Sequence, residues 1–283
     1  MAPAPMGGTR PRRLDVGSML VAPIGLAFVG LALWLEGSSP GSVLQLQAAL
    51  IVMGGTVGAV LVSFAPGEVV QAVRAAAGTF YLADDDLEPL AATLVSLALR
   101  AHRHGVVALE ADAEDVREPF LREALRMVAD GTDTETLRDY CRAEQATREE
   151  REDLPARIFE AAAGYAPTLG ILGAVIGLIH VMENLASPGA LGPGIAVAFV
   201  ATVYGVGGAN LVLLPLAGRL RQAAARTQTR YELMTQGIFG IHQRTNPRLL
   251  AQQLRAFALD MPRFEVIAAR TSMRAPRSPR IPA

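Results

Sequence analysis

The chain has 283 residues, 51% of them hydrophobic, with 26 basic against 27 acidic side chains and a formal net charge of −1. Its mean hydropathy of +0.30 is high for a soluble protein, and the balanced charge gives no reason to expect a nucleic-acid partner. All the basic residues are arginine, which excludes a Walker A lysine and lysine Schiff-base chemistry, and the lone Cys141 excludes an intrachain disulfide or a cysteine zinc site.

In chain order, Arg10, Arg12 and Arg13 precede an uncharged run, Val16–Leu35. This run exceeds the roughly 7–15 residues of a signal-peptide core and ends in Trp34-Leu35-Glu36 without a small-x-small cleavage site, so it reads as an uncleaved first helix. A second uncharged run, Ser42–Ala65, follows, and Ala161–Ile179 and Leu191–Ala217 are two more. A membrane helix takes roughly 20 residues, so four spans are expected.

Between the second and third runs the sequence is polar and helical in pattern, without a strand signal. Asp86 caps an expected helix to His104 with Leu87, Leu90, Leu94, Leu97 and Ala98 on one face. Pro119 opens a short helix over Glu118–Ala129, which Gly131 ends. Thr134–Arg151 is a third helix dense in alternating charge, and Pro155 is expected to bend the chain before the third span. After the fourth span come Arg219, Arg221, Arg226 and Arg230, of which the first two suit anionic lipid headgroups. Asn246-Pro247 begins an amphipathic helix through Leu259, and Ala268–Ala283 has the Arg-, Pro- and Ser-rich composition of disorder.

The short connections Glu36–Gly41 and Val181–Pro193 contain no arginine, whereas the N-terminal segment, the middle and the tail hold all of it. The positive-inside rule then makes both termini and the middle segment cytoplasmic in a multi-pass protein. The expected fold is all-α: a polytopic membrane protein with four transmembrane helices in two hairpins and a helical cytoplasmic domain. Its segments are 1–13, a first hairpin over 14–65, a cytoplasmic loop over 66–157, a second hairpin over 158–217 and a cytoplasmic tail over 218–283.

The last two spans carry more than an anchor needs. Gly170, Gly173 and Gly177 share one helical face and let another backbone approach closely. Pro167 interrupts the hydrogen-bond ladder just before them, and Pro215 stands near the cytoplasmic end of the fourth span. Thr202, Gly205, Gly208 and Ala209 form a comparable small face, while Thr202, Tyr204 and Asn210 add polar groups that also suit bonds to their own backbone or a neighbour. No Asp or Glu lies within any of the four runs. An ion path here would need a carboxylate supplied by a partner.

APTLGILGAVIGLI followed by AVAFVATVYGVGGANLVLLPLAGRL resembles the third and fourth membrane helices of the MotA family of flagellar stator proteins. MGGTVGAVLVSF, RHGVVALE at Arg103–Glu110 and PFLREALRMVADGTD at Pro119–Asp133 resemble further blocks of that family in the same order, over roughly residues 14–260. The resemblance implies a bacterial inner-membrane complex in which five such subunits surround two helices of MotB, a single-span peptidoglycan-binding partner carrying the titrating aspartate. Ion flow then turns the pentamer, whose loop pushes on the rotor protein FliG, giving torque for flagellar motility.

By the same resemblance, Pro167 and Pro215 couple ion passage to loop movement, and Thr202 faces the pore opposite the partner's aspartate. Ala174, Tyr204, Gly170, Gly173 and Gly177 are expected beside it. Arg103 and Glu110 lie in the rotor-facing motif, and the family often has an arginine where this chain has His102, so His102 and Arg103 are alternatives for one site. Sodium-driven relatives tend to have threonine at the position of Ala174. Alanine offers no oxygen ligand, so the expected ion is H⁺ rather than Na⁺, and no cofactor or metal is expected.

Two other readings stand beside this one. The sister ExbB/TolQ type energises outer-membrane transport and typically has three spans. A passive scaffold would use the small faces only for packing. An enzyme is not expected, since no nucleophile, acid–base pair or metal cluster gathers in the sequence.

Overall fold

The computed structural model describes residues 44–82, 87–186 and 188–255, together with 13–14, 27–28, 30–31 and 35. The first expected span, Val16–Leu35, therefore lies largely outside the described residues, as do Asp86, 256–259 of the final helix and Ala268–Ala283. The chain divides into two compact units, Met1–Asp84 with Glu149–Ala225 and Asp85–Arg148 with Arg226–Ala283.

In the first unit, helix α1 (Leu46–Ser63) contains a π turn at Leu50–Gly54. Ala48, Val52, Thr56 and Val60 are buried at four-residue intervals, while Leu46, Leu50, Met53, Val57 and Leu61 are exposed. A helix apolar on both faces suits a hydrocarbon surround. The Thr56 hydroxyl donates to the Val52 carbonyl at 2.6 Å, so its burial leaves no unpaired donor.

Helix α2 (Pro66–Gly78) starts with proline in its first turn, and the Ala65 N–H donates back to the Glu68 carboxylate at 3.0 Å. Its buried residues are alanines, Ala72 and Ala76; Ala72 packs with Val60, Ile158 and Ala162, and Ala76 with Ala156 and Leu220. The backbone of Arg13–Leu14 (β1) pairs antiparallel with Tyr81–Leu82 (β2). Two residues are too few to show an alternating strand pattern in sequence.

Helix α3 (Leu87–His104), a 3₁₀ turn at Val106–Ala108, helix α4 (Leu109–Asp115) and helix α5 (Pro119–Ala129) follow. Helix α6 then runs unbroken over Thr134–Glu183, so the charged helix expected at Thr134–Arg151 is only its first part. Pro155 does not bend the chain out of the helix, contrary to expectation, and Pro167 is also internal. Each proline removes one intrahelical hydrogen bond; burial of Ala156 and Ile158 immediately after Pro155 offsets that loss. Asp133 caps the helix through the Glu135 and Thr136 N–H groups at 2.9 and 3.0 Å.

Helix α7 (Pro188–Gly208) passes through a π turn, Ala209–Leu213, into helix α8 (Leu214–His242). Pro215 follows the π turn inside this continuous helical run, so one backbone hydrogen bond of the run is missing there. Helix α9 (Pro247–Arg255) ends the described chain.

The second unit is built on one apolar core. Leu94 and Leu97 of α3, Leu109 of α4, Phe120, Leu121 and Leu125 of α5, and Leu233, Met234, Ile238 and Ile241 of α8 are all buried there. At its edge the Tyr231 hydroxyl donates to Glu118 at 2.8 Å while the Arg148 guanidinium lies 4.8 Å above the Tyr231 ring. Burial, then the Glu118 carboxylate, holds the phenol proton on Tyr231 well above its usual range.

Candidate functional site

The polar and small residues singled out in the third and fourth spans meet where α6 packs on α7. Gly170, Gly173 and Gly177 are buried in that contact. A β-carbon on Gly170 would stand 2.9 Å from the Ala201 carbonyl oxygen, and one on Gly177 would stand 2.9 Å from the Ala198 nitrogen. The glycines bring the two backbones together, as small residues do between helices in lipid. Within the subunit they are covered by α7, because their missing side chains are what let it approach. The outward faces of the pair carry larger residues instead.

Tyr204, expected beside the ion path, turns toward α1. Its hydroxyl accepts the Gln45 N–H at 3.2 Å, and its ring packs beside Ala48, Val52, Val200 and Ala201. The Gln45 N–H just ahead of α1 is thereby paired.

Thr202 has its backbone in the α6 contact and its side chain exposed. The hydroxyl donates to the Ala198 carbonyl at 3.3 Å, leaving the oxygen's lone pairs for an outside donor or ion. Ala174 is half-buried on α6. Pro167 lies against α7, where a β-carbon on Gly205 would stand 3.1 Å from the Pro167 Cα. Pro215 is exposed. Ahead of Pro167 and beyond Pro215 in the chain, Arg221 of α8 donates to Glu160 of α6 at 2.8 Å and reaches Asp153 at 4.0 Å. The sequence showed these charges but not their pairing, since the partners are 61 residues apart.

The charged loop motif forms a separate site. His102 and Arg103 are both exposed at the end of α3, and Glu110 is exposed at the start of α4. Gly105 joins them with φ 84°, a backbone conformation that favours glycine. Beneath the turn, Arg100 pairs with the largely buried Asp112, which ties α3 to α4. Exposed Val107 completes the surface. Among the described residues no group of three or more His, Cys, Asp or Glu side chains is placed to hold a metal ion.

A chain with uncharged helices locked through glycine, and no metal-binding cluster among its described residues, has matching relatives. Residues 112–233 match the MotA/TolQ/ExbB proton channel family. Motility protein A of Bacillus subtilis is 34% identical over 233 residues, which is 81% of this chain and 86% of that protein. The chain belongs to the MotA/TolQ/ExbB proton channel family.

Its fold agrees with solved members of that family. The structure of C. jejuni MotAB superposes with a TM-score of 0.80 at 29% identity, covering 89% of this chain and 99% of the other. The flagellar MotAB stator complex from Bacillus subtilis gives a TM-score of 0.72 at 32% identity, covering 89% and 98%. Membership makes this a helical membrane protein of the MotA type. Three of its described helices, Leu46–Ser63, Thr134–Glu183 and Leu191–His242, are long and apolar enough to cross a membrane.

Proposed function

We propose that this chain is the flagellar stator subunit that forms the wall of an ion path and couples ion flow to torque. The observation that carries the reading is its likeness to C. jejuni MotAB, which covers 89% of this chain and 99% of that one. The absence of any carboxylate within its uncharged runs supports the same division of labour, in which a MotB-like partner supplies the titrating group.

In this reading four spans form two hairpins in the bacterial inner membrane, with both termini cytoplasmic. The complex is a homo-oligomer, a pentamer by family likeness, around a single-span peptidoglycan-binding partner. Thr202 and Ala174 border the path, Pro167 and Pro215 bend with it, and Glu110 with His102 or Arg103 meets the rotor protein FliG. The transported ion is H⁺, because Ala174 adds no oxygen ligand for Na⁺.

Swimming of a strain carrying this subunit and its partner, with and without sodium at fixed pH, tests the reading. Motility is expected in both media; strict sodium dependence overturns the proton assignment. Thr202→Val or Pro167→Ala is expected to abolish motility with assembly intact, whereas unaffected motility makes the chain a scaffold. Against an ExbB/TolQ-like role stands the match to two solved MotAB complexes over nearly their whole length.

A further inference from the structure

The exposed sector of α7 repeats at three- and four-residue steps through Ile195, Phe199, Thr202, Val203 and Val206, and Asn210 continues it at the start of the π turn. All but two of these residues are apolar; the exceptions are Thr202 and Asn210. The Asn210 Nδ2 donates to the Val206 carbonyl at 2.9 Å. That bond uses one N–H of the amide; its oxygen, an acceptor with two lone pairs, and its second N–H take no part in it.

An exposed amide at membrane depth is costly, and such groups face a water-filled cavity or a polar partner. Asn210 also has a particular height. Its neighbour Ala209 packs on Ala163 and Ala166, just ahead of Pro167, and Pro215 follows one helical turn later. Eight residues separate it from Thr202, about 12 Å along a helix.

We infer that Asn210 is a second polar station on the ion path, lying cytoplasmic to Thr202 and between the levels of Pro167 and Pro215. The inference rests on the stator reading above. Its amide accepts hydrogen bonds from hydrating water with Oδ1 and donates with the free N–H, so the ion keeps a polar surround where Phe199, Val203 and Val206 offer none. It positions water and carries no proton itself, since an amide does not titrate near neutrality.

The test uses the purified complex with its partner in proteoliposomes, with proton influx followed under an imposed potential. Asn210→Leu is expected to lower influx about tenfold, the effect of losing one or two hydrogen bonds along the path, while Asn210→Gln stays near wild type. Wild-type influx through Asn210→Leu, with Thr202→Val blocked, overturns this inference alone. Wild-type influx through both variants removes the stator reading. Because Asn210→Leu would also lose a subunit contact if the amide merely packs, Asn210→Cys is labelled in the assembled complex with a charged, water-soluble thiol reagent. Labelling is expected; protection at residue 210 overturns the inference. The only other thiol, Cys141, is buried and outside the expected spans.

Discussion

Gly205 of α7 lies against Ala166 of α6 so closely that a methyl group on Gly205 would stand 2.5 Å from the Ala166 carbonyl oxygen. No flexible side chain intervenes, so a substituent there has to move one helix backbone. Gly205→Ala is expected to destabilise the second hairpin by about 1–3 kcal/mol, the usual range for overpacking. Gly218, with nothing within 4 Å of its would-be β-carbon, is the matched comparison. Gly218→Ala is expected to gain about 0.5–1 kcal/mol from helix propensity. Thermal unfolding of the two variants in detergent measures both signs, and equal behaviour would show that the α6–α7 contact is loose.

Tyr204→Phe removes the acceptor that pairs the Gln45 N–H. A stability loss of about 1 kcal/mol is expected, with proton influx unchanged because the hydroxyl faces α1. A large loss of influx with normal stability would instead support a place for Tyr204 on the ion path.

At the loop surface, reversal of charge at Glu110 is expected to reduce torque while assembly and proton influx stay normal, since the side chain is exposed. The proposed rotor contact is electrostatic, so the defect is expected to vary with ionic strength. His102→Ala and Arg103→Ala, compared in the same tethered-cell assay, identify which residue shares the site. Failure of Glu110→Arg to assemble would make the residue structural.

Cys141 is almost wholly buried, and burial pushes its thiol from 9.0 to about 11. The thiolate is the reactive form, so maleimide labelling of the native protein at pH 7 is expected to be slow and to accelerate on unfolding. The folded state holds the proton more tightly than the unfolded state. Stability from this group is therefore complete below pH 9 and declines as pH rises toward 11. Fast native labelling at pH 7 would contradict the burial.

Much of this molecule was legible in the sequence, and for identifiable reasons. The three described spans showed themselves because charge is absent from long runs, and α3 and α5 because apolar residues recur at helical spacing. The length of α6 was hidden: Pro155 signals a break locally, and only the tertiary burial of Ala156 and Ile158 overrides it. Helix α2 buries alanines rather than leucines, so its core face leaves little periodic signal, although Pro66 and Glu68 mark its start. The family resemblance set Gly170, Gly173, Gly177 and Tyr204 beside the ion path. Their direction, into α7 and α1, is a property of the packed helices that spacing alone does not contain.

The π turn at Ala209–Leu213 has one consequence for reading this chain. A π turn accommodates an extra residue relative to α geometry, which advances the helix beyond it by about one residue's rotation, roughly 100°. A helical wheel drawn for α7 therefore loses phase at Ala209. Residues from Leu214 onward, Arg219 and Arg221 among them, belong on a separate wheel. A substitution scan across this junction should show two periodic patterns offset from each other, and deletion of a single residue within the turn should bring them into step.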